Sequence, residues 1–141
     1  MTEEDKDLLF KDLCARLPYG VKGLRDYTDK VATLHFIIPN CKRPNDTTGF
    51  IELEFNDLDC CPIQAFKPYL RPLSSMTEEE ENEFISLNAV PSPCTLPNHT
   101  RMSWYSNATM TDWLNAHHFD FRGLIEKGLA IEVTEENNPY N

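Results

Sequence analysis

Seven side chains in this sequence are of the types that bind metal ions or move protons near neutral pH: Cys60, Cys61, Cys94, His99, His117, His118 and Asp120. A tetrahedral ion needs thiolates and imidazoles in closely spaced pairs that a turn can fold around it. Adjacent cysteines chelate one ion less well than a Cys-x-x-Cys turn, and Cys94 with His99 is a single loose pair. The spacing therefore predicts neither a metal nor another cofactor. The alternative worth carrying is a small metal-assisted hydrolase built on His117, His118 and Asp120, with His118 as base against Asp120. That chemistry also demands a nucleophile and an oxyanion site, for which Cys14 and Ser103 are the available groups and no motif supplies the geometry. The five glycines are isolated, so no phosphate-cradling loop exists. Trp104, Tyr105 and Trp113, with Arg101 nearby, offer a base-stacking platform on paper, but core packing is the simpler use of these rings.

Charge narrows the classes further. Thirteen Lys plus Arg against twenty-three Asp plus Glu leave a net charge of −10, with the acid in Thr2 to Asp7, Glu78 to Glu83 and Glu132 to Glu136. Such a surface repels phosphate backbones, so direct nucleic-acid binding is not expected. The first residues are acidic where a secretory signal is basic and then apolar, and no stretch approaches the roughly 18 apolar residues of a membrane span. A cytoplasmic protein without membrane contact is the expectation. Five cysteines at irregular spacing argue against a disulfide framework.

The elements that must position these groups follow from periodicity. Thr2 caps a first helix that carries Leu9, Leu13 and Leu17 at helical spacing and stops at Pro18 to Gly20. Val31 to Ile38 alternates, with Ala32, Leu34, Phe36 and Ile38 on one face, and Ile51, Leu53 and Phe55 alternate with glutamates, so two antiparallel strands are predicted across a loop at 40–49. A short strand near 63–66 and an extended connection through Pro72 come next. Thr77 with Glu80 forms a capping box, with Ser75 and Glu78 in competition, ahead of a helix anchored by Phe84 and Leu87. Residues 88–107 read as a long loop with a strand near 102–105. Met110, Trp113, Leu114 and His117 then define a short amphipathic helix capped by Thr109 or Thr111, with the histidine pair at its end. Asp120 caps a second short helix, with Phe119 and Leu124 as a staple and Gly128 as its stop. A strand over 129–133 closes the chain, and the tail from about residue 135 is expected to be mobile.

Three segments, KDLCARLPYGVK (11–22), KPYLRPLSSMTEEE (67–80) and DWLNAHHFDFRGLIEKGLA (112–130), resemble a family of small uncharacterised proteins found in gut Bacteroidales genomes, prophages and phages. The resemblance implies a bacterial cytoplasm and a mobile element, a setting in which small acidic proteins act by binding. The resulting reading is one α+β domain over residues 1–141. A small antiparallel sheet, SH3-like over 21–72, packs with an N-terminal helix and short C-terminal helices. Its expected function is that of a non-enzymatic acidic interaction protein of phage or prophage origin, regulating or inhibiting a host protein by binding a host or phage protein. The candidate contact residues are Tyr69, Glu78, Glu79, Glu83 and Trp104.

Overall fold

The computed structural model describes residues 1–42, 44, 49–88 and 99–140. Helix α1 (Glu3–Arg16) starts at the expected cap: the Thr2 hydroxyl accepts the Asp5 N–H, and the Asp5 carboxylate accepts the Thr2 N–H. Strands β1 (Lys22–Arg25), β2 (Val31–Cys41), β3 (Phe50–Phe55), β4 (Cys60–Pro62) and β5 (Phe66–Pro72) follow, with a 3-10 turn at Ile63–Ala65 between the last two. Helices α2 (Glu78–Asn88) and α3 (His99–Ala116) precede two short strands, β6 (Phe119–Asp120) and β7 (Ile131–Glu132).

The strands form a sheet in the order β4-β3-β2-β1-β5-β6, and β7 also pairs with β5. Pairings among β1 to β5 are antiparallel, whereas β6 and β7 run parallel to β5. The sheet is therefore mixed and not purely antiparallel, because the chain returns to β5 only after the α2–α3 excursion, and such a long crossover allows parallel pairing. The strand expected near 63–66 is instead the 3-10 turn, and β5 takes up the segment after it. Gly23 lies where β1 crosses β5, and a Cβ there would collide with the Lys67 carbonyl and the Phe66 ring.

Strand β2 changes face midway. Leu34 pairs with Phe55 but Phe36 pairs with Glu54, so His35 is an extra residue and a bulge. One inserted residue exchanges the two faces of everything beyond it. Ala32 and Leu34 are buried as the alternation predicts, while Phe36 is 59% and Ile38 37% exposed and Ile37 packs toward the core in their place.

Two hydrophobic clusters result among the described residues. The larger joins Leu9 and Leu13 of α1 to the inner face of the sheet and to Leu124 and Leu129. The smaller holds Trp113, Leu114 and Phe119 against Met76, Phe84 and Leu87, and it fastens α2 to α3. The Thr77–Glu80 capping box is formed and the Ser75 alternative is not. Helix α3 begins at His99, so the strand expected at 102–105 and the caps at Thr109 or Thr111 are replaced by one longer helix. The second short helix is a run of turns: Asp120 accepts the Leu124 and Ile125 N–H groups, and Gly128 at φ 73° closes the loop. Phe119 and Leu124, the expected staple, are both fully buried but in different clusters. The segment from about residue 135 makes hydrogen bonds to its own turn and to the sheet. Asn137 accepts from Thr134, and the Tyr140 hydroxyl accepts the Lys22 N–H and donates to the Tyr69 carbonyl.

Candidate functional site

The histidine pair terminates α3. His117 N–H reaches the Trp113 carbonyl, its ring Nδ1 lies 2.9 Å from the same oxygen, and the ring stacks on Trp113. His118 adopts φ 64°, the left-handed conformation that ends helices, and its carbonyl accepts the Arg71 N–H. The imidazole stacks on Tyr140 at 3.6 Å between ring centroids. Burial, followed by the charges of Arg16 and Arg71, pushes His118 down to about 4, so the ring is neutral at physiological pH. Its Nδ1 is buried and has no partner among the described residues. Burial pushes the Tyr140 phenol up to about 12.

Asp120 spends both carboxylate oxygens on backbone N–H groups, at 3.0 and 2.9 Å. No group of three or more His, Cys, Asp or Glu side chains among the described residues is placed to hold a metal. His117, His118 and Asp120 thus serve as helix terminus, ring stack and loop cap respectively. Cys14 and Cys60 are exposed, whereas Cys61 is buried and pushed up to about 12 by that burial, which keeps it a thiol. Cys94 lies outside the described residues.

Beneath the histidines lies a polar cluster that periodicity alone does not announce. Asp12 and Arg16 are fully buried and joined at 2.7 Å, Arg122 reaches the other Asp12 oxygen at 2.8 Å, and Arg16 donates to the Phe119 carbonyl at 2.6 Å. A signal was available, since Asp12 and Arg16 share the Leu9–Leu13 stripe at helical spacing. The second buried arginine, Arg25, donates twice to Asp57 and once to Asp59, and Tyr27 also donates to Asp59.

Of the expected contact residues, Glu78, Glu79 and Glu83 are exposed on α2. Their neighbour Glu80 turns inward to a two-bond pair with Arg71, which holds its carboxyl down at about 2. Tyr69 is only 7% exposed, so its ring belongs to the interior and offers a partner no surface. Trp104 falls within α3.

One open surface has no local signal in the sequence. The pairing of β3 with β2 and β4 aligns Phe36 with Glu54 and Cys60, and Ile38 with Glu52 and Pro62. Directly paired residues project to the same side of a sheet. These six side chains form two rows on the outer face, while Ile37, Leu53 and Cys61 point inward. A separate groove of about 620 Å³ lies beside α1, between Glu3, Asp7, Phe50 and Gln64.

No family model, no curated protein and no solved structure matches this chain. No helix among the described residues is long and apolar enough to cross a membrane.

Proposed function

We propose that the protein is a non-enzymatic acidic interaction module of phage or prophage origin that works in the bacterial cytoplasm, regulating or inhibiting a host protein by binding it. The observation that carries this reading is the charge of α2. Arg71 takes Glu80 out of the surface, and Glu78, Glu79, Glu81 and Glu83 remain exposed in a chain of net charge −10. A field of that sign speeds encounter with a basic partner and rejects acidic ones. The scaffold reading is an SH3-like barrel over 21–72. It is supported by the strand order β4-β3-β2-β1-β5, a long bulged β2 that pairs with both β1 and β3, and the 3-10 turn between β4 and β5.

Affinity capture from host lysate tests the reading. Wild-type protein is expected to retain a specific partner, with retention lost above roughly 0.5 M salt and in the E78K/E79K/E83K variant. Recovery of no partner by wild-type protein at low salt would overturn it.

A further inference from the structure

We infer that the outer face of β2, β3 and β4 docks a basic amphipathic helix of a partner protein. The inference rests on the interaction reading above and adds to the α2 acids a second contact surface with its own ligand chemistry. An exposed sheet face ordinarily alternates to polar residues, yet here the bulge at His35 turns Phe36 and Ile38 outward, at 59% and 37% exposure. Paired strands lie about 4.8 Å apart, so the Phe36–Ile38 ridge runs alongside a Glu54–Glu52 ridge. Among the described residues neither glutamate has a basic ion-pair partner, although the Cys41 thiol donates to Glu52.

The spacing selects the occupant. Residues two apart on a strand are separated by about 6.7 Å, close to the roughly 6 Å rise between helix positions i and i+4. A helix lying along β2 and β3 therefore sets two apolar side chains, one turn apart, on Phe36 and Ile38. The neighbouring stripe of that helix faces Glu54 and Glu52, and it must be Lys or Arg for the carboxylates to be desolvated with a counter-charge. Strand addition is the poorer fit, because the edge strand β4 has three residues and one of them is Pro62.

A fluorescently labelled 18-residue Leu/Lys peptide of helical periodicity, titrated against the full chain by anisotropy, tests the inference. Controls are a scrambled Leu/Lys peptide and a periodic Leu/Glu peptide. The periodic Leu/Lys peptide should bind at least about tenfold tighter than either control, a difference of about 1.4 kcal/mol. E52K/E54K and F36S/I38S should each weaken it by about tenfold or more, while E78K/E79K/E83K should change it by less than about threefold. Equal binding of the scrambled peptide, or an equal loss in the α2 variant, would overturn the inference.

Alkylation gives a readout that needs no variant. Cys60 lies in the Phe36–Glu54 row and Cys14 lies on α1, and both are exposed. Bound peptide should slow modification of Cys60 and leave Cys14 unchanged, and an unprotected Cys60 at saturation would reject this face. The two proposals fail separately. A lysate partner lost from the α2 variant but retained by the face variants removes the docking face and keeps the interaction reading, and capture of no partner does the reverse.

Discussion

Arg16 and Arg25 are both withdrawn from water, at 0% and 3% exposure, and both are met by carboxylates, yet the carboxylates differ. Asp12, the partner of Arg16, is itself 0% exposed, whereas the side chains of Asp57 and Asp59, the partners of Arg25, are 45% and 51% exposed. Water relieves the second set when a bond is lost and gives the first no relief. The span differs too. Arg25 closes a turn within the sheet, while Asp12 and Arg16 reach Arg122 and the Phe119 carbonyl, across 110 and 103 residues. The Arg25 arrangement trims one turn of the sheet, and the Asp12–Arg16 arrangement fastens the N-terminal helix to the C-terminal segment.

The largest effect expected from this contrast is that of Asp12→Ala. It strands the buried Arg16, whose Nη1 already lacks a partner among the described residues, and it should cost about 3–5 kcal/mol of unfolding free energy in urea titrations. A loss below about 1 kcal/mol would mean that the cluster holds nothing together and that the hydrophobic contacts of Leu9 and Leu13 suffice.

Next in size is a pH effect on the same side of the molecule. His118 sits at about 4 when folded and near 6.5 when unfolded, so the unfolded chain takes up its proton first as the pH falls. The stability that the neutral ring contributes is complete above pH 6.5 and is lost as the pH drops from 6.5 toward 4. Allowing for its partial exposure, the loss should be about 2 kcal/mol. His118→Asn is the comparison, because asparagine tolerates the φ of 64° and carries no titrating group. Its stability should be flatter than that of wild type between pH 7 and 4.5. Parallel curves would show that His118 is not protected by the Arg16 side of the fold.

Tyr140→Phe follows. The ring stack on His118 stays, but the Lys22 N–H and the Tyr69 carbonyl lose the hydroxyl, which should cost about 1 kcal/mol. Amide exchange at Lys22 should rise above that of its β1 neighbours. Unchanged protection would show that the C-terminal segment does not fasten β1.

How much of this the residues announce depends on whether the decisive contact is local. The Thr2 cap, the Thr77–Glu80 box, the β3 alternation, the first half of the β2 alternation and the Gly128 turn are all written within a few residues, and each is present where the spacing puts it. The bulge at His35 is not, since it depends on how β3 pairs, and with it the exposed Phe36 and Ile38 face goes unannounced. Asp12 and Arg16 share the apolar stripe of α1, a local hint, but Arg122 is 110 residues away. Tyr140 reads as tail because nothing near it in sequence explains an aromatic ring, and its partners lie in β1 and β5. The histidines and Asp120 are conspicuous in the sequence as chemistry, while their places at a helix end and a loop cap depend on how the chain folds around them.

The smallest effect sharpens the contrast from its other end. Asp59→Ala removes one bond from Arg25 and one from Tyr27, but Asp57 keeps its two bonds to the same guanidinium. Because the Asp59 side chain is half exposed, its loss should cost only about 0–1 kcal/mol, and that cost should shrink further in salt. The Tyr27 phenol, pushed up to about 12 by burial and then by its bond to Asp59, should titrate at lower pH in the variant. Ultraviolet absorbance above pH 9 reads that change directly. A cost for Asp59→Ala that equals the cost for Asp12→Ala would make both arginines interior clamps of one kind, and solvent access to the carboxylate would then cease to explain the difference between them.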